Sequence, residues 1–125
     1  MIALALLMLT APQDAPAETA EEIVVIGEKM KQWNAAIRYR DGKAICTIKK
    51  STGDPDVDRI GCDSMTQCFD AMRPRFDSTQ DKALDRATRK QRLAEANTDL
   101  TACVVEKRGD MIAALAEKRA GAPKE

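Results

Sequence analysis

The chain contains no histidine. That absence removes Ser/His and Cys/His nucleophilic pairs, imidazole-ligated metal and an imidazole pH switch, and with them most small-enzyme chemistries. Aromatic residues are scarce as well, with one Trp, one Tyr and two Phe in 125 residues. Any core must therefore be small and largely aliphatic. Charge of one sign is not in excess either, since 20 Lys and Arg stand against 20 Asp and Glu. No global field draws nucleic acid or an anionic membrane, so any such contact has to come from a local patch. No apolar run approaches the about 20 residues that a membrane-spanning helix requires. The signatures Gly-x-Ser-x-Gly, Gly-x-Gly-x-x-Gly and Gly-x-x-x-x-Gly-Lys are all missing. No catalytic residue and no cofactor is expected.

What is present begins at the N-terminus, where Ile2 to Leu9 form an unbroken apolar octet and Ala15-Pro16-Ala17 supplies a small-x-small sequence. The pattern reads as a secretory signal over residues 1–17, although no Lys or Arg precedes the octet. The mature chain is then expected to start at Glu18 and to reside in the periplasm, with no integral membrane segment.

Export makes the four cysteines informative. Cys46, Cys62, Cys68 and Cys103 are separated by fifteen, five and thirty-four residues, which provides neither the close pairs of a zinc site nor a redox C-x-x-C. Small exported domains short of core commonly carry structural disulfides instead. Of the three possible pairings, the one joining Cys62 to Cys68 is eliminated if both lie on one helix. Six residues then separate them by about 9 Å along the axis and turn them to different faces. Cys46–Cys62 and Cys68–Cys103 are the expected bridges, the first tying a core-facing strand position to the end of the loop it leads into, the second linking two apolar helix stripes.

Along the chain, Glu22-Ile23-Val24-Val25-Ile26-Gly27 is a β-branched run ended by glycine and reads as a strand or extended arm. Its Ile23, Val24, Val25 and Ile26 are candidate partner-binding residues, by strand addition to a periplasmic protein. Asp41-Gly42 lies between Ala36 to Arg40 and Lys43 to Lys49, which predicts a β-hairpin with Ala44, Cys46 and Ile48 on one face. Ser51 to Gly61 reads as a polar turn. Its alternating Asp54, Asp56 and Asp58 resemble the opening of a calcium loop, but Arg59 stands where the sharp-turn glycine belongs and Met65 where the bidentate glutamate belongs. No metal site is expected there.

Ser64-x-x-Gln67 is a capping box that predicts a helix start, with Met65, Cys68, Phe69 and Met72 forming a stripe suited to a core or, less commonly, a binding groove. Pro74 is expected to end that helix. From Ser78 to about Arg119 one long helix or two collinear ones should follow, with Leu93, Leu100, Val104, Met111 and Leu115 in a heptad-like stripe. The stripe does not continue backwards, which predicts a break or bend near Ala87 to Arg92 or an arm projecting beyond the domain. Lys82, Arg86, Arg89 and Lys90 form a basic stripe interrupted by Asp81, Asp85 and Glu95. Without interleaved aromatics it reads as a solvated face, and no nucleic acid partner is expected.

Two resemblances rest on these residues. Ala20-Glu21-Glu22-Ile23-Val24-Val25-Ile26-Gly27 resembles the acidic-then-IVV-then-Gly segment near the mature N-terminus of TonB-dependent outer-membrane receptors, with Ile26 in place of the common threonine. That resemblance implies an extended arm that adds as a strand to a periplasmic partner. The remainder is similar to small exported proteins of Gram-negative bacteria, through Trp33, Asp41-Gly42, Cys46, Ser51-Thr52-Gly53-Asp54, Ile60-Gly61-Cys62-Asp63 and Cys68. This second group brings no activity with it.

The reading as a whole is an α+β fold. A linker at 18–22 leads into one small domain over 23–119, followed by a disordered tail at 120–125. In that domain a β-hairpin or small sheet is packed by a short helix and a long C-terminal helical segment and stapled by disulfides. The function expected is that of a small periplasmic, non-catalytic binding protein. The alternatives are a hydrolase inhibitor presenting Asp54 to Arg59 as a rigid loop, and a minor hydrolase using carboxylates.

Overall fold

The computed structural model describes residues 17–121. The apolar octet and most of the small-x-small sequence lie outside the described residues, as does the C-terminus from 122 onwards. The described chain runs α1 (Ala17–Met30), β1 (Asn34–Arg40), β2 (Lys43–Lys50), α2 (Pro55–Ser78) and α3 (Arg86–Ala120), an α+β arrangement with one two-stranded antiparallel sheet. Among the described residues no helix is long and apolar enough to cross a membrane.

The hairpin forms where Asp41-Gly42 predicts it. Asp41 has φ 52° and Gly42 φ 82°, the two successive positive values that a tight two-residue turn needs and that this dipeptide tolerates. Register runs from Arg40 opposite Lys43 through Ile37 opposite Cys46 to Ala35 opposite Ile48, with a bulge beside Asn34. Residues 35, 37, 39, 44, 46 and 48 therefore share the face turned to α2. There Cys46 is bonded to Cys62, with Cα atoms 5.6 Å apart. Tyr39 meets Phe69 edge-on and donates its hydroxyl to the Phe69 carbonyl. A two-stranded sheet is marginal alone, so these ties to a helix are what hold it.

α2 and α3 lie against each other as a helical hairpin, joined near mid-length by Cys68–Cys103. α2 starts nine residues before the Ser64 box, because Asp54 caps it and Pro55 occupies its first turn. Thr52 donates its backbone N–H and its hydroxyl to Asp58, which fixes the chain entering the helix. The expected turn at 51–61 is thus mostly helix. Ser64 sits buried within it, donating to the Gly61 carbonyl rather than capping an end. Pro74 does not stop α2 either. The helix continues through it to Ser78, losing one ladder donor while its flanks stay docked on β1 and α3.

The interruption expected at Ala87 to Arg92 is found earlier, at residues 79–85. Asp85 caps α3 through Thr88 N–H, and the helix then runs for 35 residues. Its first two turns carry no apolar seam because Arg, Lys and Gln are good helix formers that need none. Ala120 belongs to α3 and Gly121 caps it, so these two are not part of a tail, and the remainder of 120–125 lies outside the described residues.

Glu22 to Gly27, expected as a strand or extended arm, is helix, and the expected linker at 18–22 is the first part of the same helix. Four β-branched residues cannot form a ladder without a partner strand, and good helix formers flank them on both sides. Thr19, Ile26 and Met30 fall seven and four residues apart, which brings them to one face. Ile26 is fully buried with Val57 of α2 and Ala116 of α3, and Met30, Ile112 and Leu115 pack around them. The main core is thus a three-helix junction at one end of the molecule.

Candidate functional site

At the end of α1, Gln32 and Trp33 donate backbone hydrogen bonds to Lys29 and Met30, turning the chain out of the helix and into β1. The Trp33 indole is laid on α2 at Gly61. A Cβ at that position would stand 2.5 to 2.8 Å from three ring carbons, so only glycine leaves room for the ring. Arg108 of α3 covers the same indole, with its guanidinium carbon 5.4 Å from the ring centroid. Arg108 Nε donates to Ser64 Oγ at 3.2 Å, and that buried hydroxyl donates in turn to the Gly61 carbonyl. One residue from the α1–β1 connection, two from α2 and one from α3 form a single cluster.

Trp33 and Arg108 of this cluster also line a groove of about 440 Å³, within the range of ligand sites. Trp33 and Ala35 line it with Met65 and Phe69 of α2 and Leu100, Val104 and Val105 of α3. Asn34, Thr101 and Arg108 are its polar members, and no acidic side chain lines it. Arg108 has no ion pair among the described residues. Beyond the bond from Nε, its guanidinium donates to no protein acceptor there. Burial pulls its pKa below the ordinary arginine value, without a carboxylate to offset it. The Trp33 indole N–H is also buried and without an acceptor among the described residues. A guanidinium whose terminal nitrogens have no protein acceptor among the described residues can take a carboxylate in a bidentate pair.

Met65 and Phe69, expected first as core and less commonly as a groove, are half-buried and border this groove. Trp33, Ser64 and Arg108 do not emerge from motif reading as a site. Their one sequence signal is the stripe Val104, Arg108, Met111, Leu115, spaced four, three and four residues apart: a cation stands where an apolar seam should continue. The other expected residues lie elsewhere. Ile26 is in the core, while Val24 and Val25 remain 63% and 47% exposed on α1 with no strand edge to offer. Arg86, Arg89 and Lys90 line an open hollow beside the start of α3.

Asp54, Asp56 and Asp58 are not a solvated turn. Asp54 is bridged to Lys29 and Arg119, and Asp56 to Arg119. Asp58 is held by Ser51 and Thr52. Asp54 to Arg59 is thus a helix cap and first turn instead of a protruding loop. Asp56 and Asp63 share a shallow hollow with Arg59 and Lys118. Among the described residues no group of three potential metal-ligating side chains stands together. Comparison with protein-family models, with curated proteins and with solved structures found no match for the chain.

Proposed function

We propose that this chain is an exported, non-catalytic binding module of the periplasm, and that the groove beside Trp33 receives a segment of a partner protein carrying apolar side chains and one carboxylate. The observation that carries this reading is Arg108. A half-buried guanidinium without an internal counter-charge is costly to keep, and a ligand carboxylate would supply both the missing charge and the missing acceptors. Two disulfides suit an oxidising compartment, and the octet at Ile2 to Leu9 supplies the export pattern.

Trp33 is the only tryptophan, so its emission reports on the groove directly. The probe is an acetylated, amidated tetrapeptide of leucine, phenylalanine, leucine and glutamate, titrated beside its glutamine counterpart. Saturable quenching or a shift should appear with the glutamate peptide at about tenfold higher affinity. Arg108→Met should abolish the difference between the two peptides. Equal affinity for both, or no saturable change, would remove the reading. Intact mass of periplasmic material beginning at Glu18 tests export separately.

A further inference from the structure

The outer face of the β-hairpin carries charge that nothing inside the protein answers. From Asn34 to Lys50 there are five cations, Arg38, Arg40, Lys43, Lys49 and Lys50, against the single anion Asp41. All five cations are exposed, and none forms an ion pair among the described residues. Strand alternation places Arg38, Arg40, Lys43 and Ile45 on the face opposite Cys46 and its bridge to α2. Arg40 and Lys43 are direct cross-strand partners, a like-charge pair that weakens a hairpin already marginal in length. Next to them Ile45, opposite Arg38, is 42% exposed.

We propose that this face docks the protein on an anionic lipid bilayer. The cations match a surface of phosphate headgroups, and the interface supplies the apolar medium that Ile45 lacks in water. Nucleic acid fits the charge but not the rest. The aromatic residue of the ribbon, Tyr39, is turned to Phe69 on the opposite face, so the outer face has no platform for base stacking. The chain's overall charge balance does not oppose this, because attraction over a Debye length is set by the face presented and not by the sum. The proposal does not rest on the groove, which involves other residues.

The test is co-sedimentation of the full, oxidised chain with vesicles of phosphatidylcholine alone or with about one-third phosphatidylglycerol, at rising salt. Binding should require the anionic lipid and fall as salt rises. The double variant Arg40→Glu with Lys43→Glu should reduce partitioning about tenfold or more. Ile45→Ser should reduce it by a smaller factor, and the triple variant Arg86→Glu, Arg89→Glu, Lys90→Glu should leave most of it intact. Far-ultraviolet circular dichroism and non-reducing peptide maps check that each variant is folded. Equal binding to both vesicle types, no binding, or loss through the α3 variant instead of the hairpin variant would overturn the proposal. So would a short DNA duplex that displaces the protein from anionic vesicles at equal phosphate concentration.

Discussion

Arg119, in the last turn of α3, donates a hydrogen bond at 2.9 Å to Asp54, the N-cap of α2, across 65 residues of sequence. Lys29, in the last turn of α1, reaches the other carboxylate oxygen at 2.8 Å. One carboxylate thereby ties two helix C-termini to one helix N-terminus, and each charge has the sign its own helix end favours. Hydrogen bonding from Arg119, then from Lys29, holds the Asp54 carboxyl well below the usual carboxylate range.

That depression fixes the sign of a pH dependence. The ionised form is preferred in the folded state, so its stabilisation is complete above the unfolded carboxylate value of about 3.9 and is lost as pH falls further. Asp54→Asn keeps a good N-cap and removes the charge. Urea denaturation should show a loss of about 2 kcal/mol at neutral pH, with the variant and wild type converging in acid. Asp54→Ala should cost about 1 kcal/mol more, through the cap.

Gly61→Ala should invert its ordinary sign. In an unencumbered helix the change gains about 1 kcal/mol. Here the added methyl meets three ring carbons of Trp33 at 2.5 to 2.8 Å, and overpacking of this kind costs about 1 to 3 kcal/mol. A lower thermal midpoint together with red-shifted Trp33 emission is the expected pair of observations. A rise in stability would mean that the indole is not seated on α2.

The hairpin was legible because it rests on a dipeptide that accepts positive φ at Asp41 and Gly42. The bridges follow the expected pairing, but spacing alone eliminates only Cys62–Cys68, and the choice between the other two took Cys62 as the end of a loop when it lies inside α2. The failures share a different cause. Ile23 to Ile26 carry strand propensity, but whether they form a strand depends on a partner edge that only tertiary structure supplies, and β1 pairs with β2 alone. Ser64 and Pro74 are ordinary boundary signals overridden by a helix already started at Asp54 and docked along its length. The groove was half legible. Met65 and Phe69 fall at helix spacing, but Arg108 reaches them from 39 or more residues away, and only the break it makes in the Val104 to Leu115 stripe hints at it.

The two disulfides should fail differently. Removing Cys46–Cys62 by paired serine substitution should release the hairpin, with hydrogen exchange in residues 36–47 losing protection while the helices keep theirs. Removing Cys68–Cys103 should lower global stability by about 3 to 4 kcal/mol and leave the Cys46–Cys62 bridge able to form. Equal effects on the helices from both variants would contradict the division.

α1 is structural at Ile26 and replaceable two residues earlier, at Val24. Ile26→Ala should cost about 3 kcal/mol, because Ile26 is fully buried against Val57 and Ala116. Val24→Ser should stay within about 0.5 kcal/mol of wild type. A chain truncated to begin at Lys29 should lose the same junction and melt early, as monitored by circular dichroism.

Arg108→Met should separate stability from binding. The apolar replacement removes a desolvated charge while keeping most of the contact with Trp33, so the melting midpoint should hold or rise as peptide discrimination disappears. A large loss of stability would show that the guanidinium is an internal support.

The bridges enclose 46–62 and 68–103, and the two loops follow one another without overlap. A chain pulled from its ends cannot extend through either ring. The bonded pairs span sequence separations of 16 and 35, and about 170 Å of contour length stays hidden until a reductant is added. Everything before Cys46 and after Cys103, including α1 and the Arg119 end of α3, lies outside both rings and can peel away first. Under load this protein is two closed beads joined by a five-residue bridge, and its three-helix junction is the part that yields while the beads remain.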